Sequence, residues 1–280
     1  MTLQANPADA EPFRFAFGRN WARFLEGLDE ARIRTAVDSL RDMLGVDDLR
    51  GKRFLDAGSG SGLFSLAARR LGARVHSFDY DAGSVACTEH LRATYFPGDA
   101  EWTVDRASVL DAAYLETLGT ADVVYCWGML HHTGHMWDGL ENVCARVAPG
   151  GTLFVSIYND QGGASRRWRR VKRLYNRLPR ALRFVVVVPA LAHIWWKPSL
   201  RDLLQRRPGR TWREYGGDRG MSPWWDLLDW VGGFPFEVAK PEEIFEFCTR
   251  RGFRLLRLST HGGGPDCNEY VFVRAGGEAA

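Results

Sequence analysis

The sequence predicts an α/β fold in which helices cover a largely parallel sheet. Three observations predict it. Apolar runs of strand length alternate with helical stretches between about residues 51 and 160, the order that builds parallel sheets. The first run, "FLDAGSGSG" at 54–62, ends in glycines at alternate positions and leads straight into the helical "LFSLAARRLG"; such a strand, turn and helix points a helix N-terminus at a ligand. With 280 residues, 45% of them hydrophobic and 25% charged, the chain can bury the core that a large α/β domain needs.

The elements follow in order. In segment 1–50, "NWARFLEGL" and "EARIRTAVDSLRDMLG" read as helices, the second with Ile33, Val37, Leu40 and Leu44 on one stripe and Gly45 as its stop. Segment 51–160 holds the ligand-binding core. Its glycine-ended run is the first strand. "RVHSFDYD", ending at Asp79, is the second, and "SVACTEHLRATYF" is a helix. "AEWTVDRASVLD" reads as a third strand, "ADVVYCWGML" as a fourth, "WDGLENVCARVAPGG" as a helix closed by glycine, and "TLFVSIYND" as a fifth strand. Segment 161–239 is an insertion, expected to be a lid or substrate domain. Segment 240–280 returns to the sheet with the helix "KPEEIFEFCTRRGF", started by proline and stopped at Gly252, and with the strands "RLLRLST" and "EYVFVRA" joined by "HGGGPDCN".

Glycine spacing narrows the ligand. Gly58, Gly60 and Gly62 give G-x-G-x-G, with Leu63 where the dinucleotide fingerprint needs glycine or alanine. No Gly-Lys-Ser/Thr follows, which excludes a Walker loop. Asp56, two residues before the first glycine, suits an ammonium group and opposes a diphosphate. On these residues the chain resembles the class I S-adenosylmethionine-dependent methyltransferases, in particular the ubiquinone-biosynthesis-like small-molecule enzymes, with their D-x-G-x-G-x-G motif. The resemblance covers about 51–160 and 240–275. It implies a Rossmann-like, seven-stranded, mostly parallel sheet with the last strand antiparallel between the fifth and sixth, and S-adenosyl-L-methionine as cofactor.

Ligands of such sheets bind beyond the carboxyl ends of the strands, so the candidates lie just after each strand. Gly58, Ser59, Gly60 and Gly62 form the cofactor loop, with Asp56 at the ammonium. Asp79, about twenty residues after Gly58, is placed to accept both ribose hydroxyls, with Tyr80 flanking the adenine. The family's adenine contacts fall on Ser108 and Val109, and its methionyl contacts on the end of the fourth strand. There Trp127 is either a cofactor contact or a core residue. Asn20 or Trp21 reaches the cofactor from the N-terminal helix, or Asn20 caps that helix.

Methyl transfer from a sulfonium is an in-line displacement favoured by a dry, well-aligned cavity, and an acceptor that loses a proton also needs a base. "WGMLHHTGHMW" offers His131 and His132 after the fourth strand. If the last strand runs beside the fifth in reverse, Tyr158 and Asn159 face His261, Asn268 and Glu269 across an acceptor pocket; "HGGGPDCN" is then a substrate loop or a plain hairpin connection. The histidines lack H-E-x-x-H spacing, so no metal is expected.

The expected activity is O-methylation of a small molecule, such as a lipid-linked, glycan or natural-product hydroxyl. C- or N-methylation and a non-catalytic cofactor-binding module are the alternatives. Nucleic acid is not an expected partner, because "CWGML" stands where base methylases carry N-P-P-Y/F. Five scattered cysteines and no basic-then-apolar start point to a cytoplasmic protein without a secretion signal. The insertion is lopsided: 161–201 holds eleven Lys and Arg and no acid, which leaves −8 to the rest of a chain whose net charge is +3. Trp168, Val171, Tyr175 and Leu178 form a stripe among these cations, and "FVVVVPALAHIWW" follows. This segment is either a lid with solvated arginines or a peripheral contact with an anionic membrane. Trp224, Trp225, Trp230 and Phe234 are candidates for an aromatic acceptor wall.

Overall fold

The computed structural model describes residues 15, 17–215, 222–260 and 266–276. Its strands are β1 (Arg53–Ala57), β2 (Arg74–Asp79), β3 (Trp102–Arg106), β4 (Ala121–Trp127), β5 (Val147–Tyr158), β6 (Phe253–Ser259) and β7 (Cys267–Arg274). They form one sheet in the order β3-β2-β1-β4-β5-β7-β6, with β1 to β5 parallel to one another and β7 antiparallel to both β5 and β6. This is the expected Rossmann-like methyltransferase topology. Its chain order reverses at β1, so the crevice between β1 and β4 at their carboxyl ends is the natural ligand position.

The side-chain period of two sends neighbouring residues to opposite faces. Phe54, Val75, Trp102, Tyr125, Phe154 and Val271 pack under α2 (Glu30–Leu44) and α3 (Leu63–Arg70), while Leu55, Val124, Leu153, Val155 and Phe272 pack under α6 (Met136–Ala145). Helix α2 starts at Asp29, whose side chain accepts from Arg32 N at 2.8 Å, and stops at Gly45 with φ +67°. Ile33 and Leu40 of its stripe are buried, and Val37 and Leu44 pack against them. Helix α4 (Ala82–Tyr95) follows β2, and α11 (Pro241–Thr249) precedes β6.

Three elements differ from the sequence expectation. The third strand ends at Arg106, and the rest of its run becomes a loop and the helix α5 (Ala112–Thr117), because Asp111 caps a new helix by accepting from Tyr114 N at 3.0 Å. Helix α6 stops at Ala145, so the glycines assigned to its end belong to β5. The N-terminal helix α1 (Gly18–Glu26) begins two residues before Asn20, which therefore does not cap it.

In the insertion, α7 (Gly163–Arg177), α8 (Phe184–Leu204), α9 (Arg210–Glu214) and α10 (Pro223–Gly232) follow one another. Tyr175, Val186, Val187, Ala190, Leu227 and Val231 form their shared core, joined by Trp168, Val171 and Leu178. Helix α8 continues through Pro189 and Pro198 and is longer than the apolar run that announced it.

Candidate active site

Two groups of residues meet at the carboxyl ends of the strands. The first is the glycine loop. Gly58, Gly60 and Gly62 have φ of +83°, +56° and +81°, a region open to glycine at little cost. Gly58 N and Ser59 N donate to Phe78 O at 2.9 and 3.1 Å, tying the loop to β2. A Cβ on Gly60 would stand 3.2 Å from the Trp21 indole, and one on Gly58 would stand 2.6 Å from Met129 Cγ. Trp21 on α1 therefore lies over the loop.

Asp79 closes this half. Its Oδ2 accepts from Gly60 N at 3.0 Å and its Oδ1 from Asp81 N at 2.8 Å. Burial nevertheless pushes its carboxyl up to about 6, against the lowering effect of those amides. Tyr80 is 39% exposed beside it. Ser59 Oγ and Thr88 Oγ1 lie 2.9 Å apart. In the loop after β3, Ser108 Oγ accepts from Leu110 N at 3.2 Å. Val109 sends its side chain into the core, and its carbonyl accepts from Asn142 Nδ2 at 2.9 Å.

Asp56 is not the open carboxylate expected at the ammonium position. It is 1% exposed, and Ser65 Oγ of α3 donates to its Oδ2. Ser65 and Ser77 hydroxyls lie 2.7 Å apart, and Trp102 Nε1 donates to Ser77 Oγ at 3.0 Å. Burial pushes Asp56 up to about 7. The carboxyl braces α3 on the sheet below the loop.

The second group surrounds the short 3₁₀ turn 130–132 after β4. His131 is 1% exposed with its ring centroid 3.8 Å from that of Tyr158. Burial, helped by the nearby His132 and Lys172, holds its pKa well below the usual histidine range, so the ring is neutral. Tyr158 N points at its Nδ1 at 3.4 Å, which leaves the ring proton on Nε2. His132 is anchored differently. Its Nδ1 lies 2.8 Å from Pro235 O, and a carbonyl only accepts, so Nδ1 donates. Phe17 packs on this ring at 4.9 Å.

The β5 and β7 ends meet as expected. Tyr158 pairs with Cys267 and Ser156 with Glu269 in the register. Asn159 Oδ1 accepts from Asn268 Nδ2 at 3.2 Å, and Asn268, 0% exposed, is a brace between the strand ends. Trp127 Nε1 donates to Glu269 Oε1 at 2.8 Å, so the residues expected on the cofactor and acceptor sides hold each other. His261 lies outside the described residues. A cavity of about 360 Å³ opens at the opposite, amino ends of the strands beside Arg53, Arg74 and Glu101, remote from all of this chemistry.

Sequence reasoning missed Lys172, Asp229 and Phe236. Lys172 on α7 is 0% exposed. Its Nζ lies 4.1 Å from the Trp230 ring centroid, 4.7 Å from that of Phe236 and 5.9 Å from that of Tyr158, and donates to Trp230 O. Burial pulls this amine down to about 7, opposed by Asp229. Asp229 is itself pushed up to about 7 by burial, and Asn20 Nδ2 donates to its Oδ1. A signal for Lys172 was present: Trp168, Lys172 and Tyr175 stand at i, i+4 and i+7, which puts the lysine on the apolar stripe. Of the aromatic candidates, Trp230 reaches Tyr158 at 5.4 Å, whereas Trp225 packs under Arg23. Among the described residues, no group of three or more His, Cys, Asp or Glu is placed to hold a metal ion.

A family model described as a methyltransferase domain matches residues 28–220. The chain belongs to this class I methyltransferase family. Curated relatives include the ubiquinone biosynthesis O-methyltransferases of Xanthomonas campestris pv. campestris, 34% identical over 109 residues, and of Burkholderia ambifaria, 37% identical over 113 residues. Each match covers 39% of this chain and 44% or 45% of the relative, so the chain spans less than half the length of these relatives. Among solved structures, magnesium protoporphyrin IX methyltransferase from Synechocystis PCC 6803 with bound SAH superposes with a TM-score of 0.55 at 17% identity, over 92% of this chain and 94% of that one. The N-methyltransferase NodS from Bradyrhizobium japonicum WM9 superposes with a TM-score of 0.51 at 13% identity, over 92% and 98%. These likenesses reach the fold and leave the acceptor atom open.

Proposed function

We propose that the chain is an S-adenosylmethionine-dependent methyltransferase that methylates an oxygen of a small hydroxylated acceptor. S-adenosyl-L-methionine fits the residues at the carboxyl-end crevice. The positive-φ glycines let the backbone approach a ligand closely. The acids Asp79 and Asp81 beside the loop suit a cofactor that carries an ammonium and a sulfonium. When bound, it supplies an activated methyl group.

The chain's own residues do the rest. Gly58, Ser59, Gly60 and Gly62 would hold the methionyl and ribose portions, with Asp56 bracing the helix below. Asp79 has lone pairs left beyond the backbone amides of Gly60, Tyr80 and Asp81 that it already takes and would accept the ribose hydroxyls. Tyr80, Ser108 and the backbone of Val109 would flank the adenine. Trp21 and Trp127 would close the crevice and exclude water. On the acceptor side, the partly exposed faces of Tyr158 and Trp230 would offer apolar walls, and Asn159 and Glu269 the polar rim.

The observation that carries O-methylation is the placement of His132: it stands in the turn directly after β4, and its Nδ1, 2.8 Å from Pro235 O, fixes the orientation of an imidazole where a general base for an acceptor hydroxyl would stand. The O-methyltransferase relatives support the same atom. The test is transfer of labelled methyl from S-adenosylmethionine to a panel of phenols, alcohols, carboxylic acids and amines, with products identified by mass spectrometry. An O-methyl product is expected. Amine products alone overturn the reading, and cofactor binding without turnover on any class supports the non-catalytic module.

Asp79 gives a pH-dependent prediction. Its carboxyl titrates near about 6 in the free protein, and ribose donors favour the ionised form. Cofactor affinity is therefore expected to increase as pH rises through about 6. Asp79→Ala should remove that dependence and weaken binding roughly ten- to a hundredfold, the loss of a charge-assisted hydrogen bond. Calorimetry between pH 5 and 8 reads both effects.

A further inference from the structure

The outward face of α8 has no counterpart in the methyl-transfer machinery. Phe184, Val188, Ala192, Trp196, Leu200 and Leu204 succeed one another at i, i+4 along its 21 residues, and all six are exposed. The large ones are between 47% and 76% exposed. Side chains four apart are neighbours, so these residues form a continuous apolar ridge about 30 Å long that winds part-way round the helix, widened by Val185 and Leu203, 55% and 63% exposed. The helix's other face, with Val186, Val187 and Ala190, is already used by the insertion core. Leu174 of α7, 51% exposed, repeats the pattern between Arg170 and Arg177.

Cations frame the stripe. Arg183 immediately precedes it, and Lys197 and Arg201 sit beside Trp196 and Leu200. From 161 to 215 the sequence holds fifteen Lys and Arg and only two acids, Asp202 and Glu214. Asp202 is buried against Thr211, and Glu214 is paired with Arg210. An apolar face with a tryptophan, bordered by lysine and arginine, is the composition of helices that lie in a lipid headgroup layer. No helix among the described residues is long and apolar enough to cross a membrane, so α8 would lie flat. A second copy of the chain is a poorer occupant, since pairing two such faces would bring like charges together.

We propose that α8 is an interfacial helix that seats the protein on an anionic membrane surface, with the exposed apolar face around Val188, Ala192, Trp196 and Leu200 in the acyl boundary and Arg180, Arg183, Lys197 and Arg201 among the headgroups. This is independent of which acceptor the active site takes. The test is flotation of the full chain with vesicles of phosphatidylcholine alone and of phosphatidylcholine with phosphatidylglycerol, at low and high salt. The protein is expected to float with the anionic vesicles at low salt and to be released by high salt. Val188→Glu and Trp196→Glu, both at exposed positions, should abolish flotation while circular dichroism and thermal unfolding stay as in wild type. Arg180→Gln and Lys197→Gln should each weaken partitioning by about fivefold, the share of one charge near such a surface. Failure to float with anionic vesicles, or flotation undiminished by both glutamate variants, overturns the proposal. A wild-type dimer that Trp196→Glu splits would assign the face to a second copy and overturn it equally.

Discussion

His132→Ala is expected to lower turnover by about 10²–10⁴-fold while affinity for S-adenosylmethionine stays little changed. The reason is local. Pro235 O orients the ring through Nδ1 and Phe17 packs on it, so the imidazole is held at the end of β4, where an acceptor's proton would be taken. The loss should be larger for an alcohol than for a phenol, whose reference pKa of about 10 eases proton removal. His131→Ala should behave differently. Its ring is buried, neutral and stacked on Tyr158, so removing it opens a hole in the aromatic cluster and lowers stability. Steady-state kinetics on both variants, with denaturation as control, separates the roles. Unchanged turnover in His132→Ala would move the base to Tyr158 or Glu269.

Lys172→Met should change the pH dependence of folding. The unfolded chain keeps a lysine proton up to about 10.5, whereas the buried native amine releases it near about 7. Between those values the unfolded state binds more protons, so raising pH favours the native state. The window corresponds to at most about 4–5 kcal/mol. Below it the sign reverses. Asp56, Asp79 and Asp229 are raised to about 6–7, so the native state holds protons that the unfolded state has already lost, and stability falls as pH rises from about 4 to about 7. The cofactor-free protein is therefore expected to be least stable near neutrality. Methionine fills similar volume without a charge to desolvate, and replacements of this kind are often neutral or stabilising. Denaturant titrations from pH 5 to 9 should show the alkaline rise in wild type and a flattened one in Lys172→Met. An identical rise in both would mean that Lys172 is not the titrating group.

What the sequence made legible was mostly local or shared with a family. The glycine run announced β1, the loop and α3 because positive φ at fixed spacing is written in residue type, and the family resemblance placed β7 between β5 and β6. The pairing of Trp127 with Glu269 was hidden, since it joins residues 142 apart in the chain. Asn20 looked like a cap because its neighbours suggest a helix start; its partner is Asp229, in a different helix. Helix α5 was absorbed into a strand because its six residues are too few to show a period of 3.6. Lys172 was counted among eleven cations, and only its place on the Trp168 and Tyr175 face distinguished it.

The central claim is that the β1 loop and Asp79 form an S-adenosylmethionine site, and isothermal calorimetry tests it most directly. The account predicts saturable binding of S-adenosylmethionine and of its demethylated product at one site, weakened in Asp79→Ala and lost in Gly60→Val, where a branched side chain would be forced into a positive-φ turn beneath Trp21. Absence of heat with either compound, or equal binding by wild type and both variants, would contradict it.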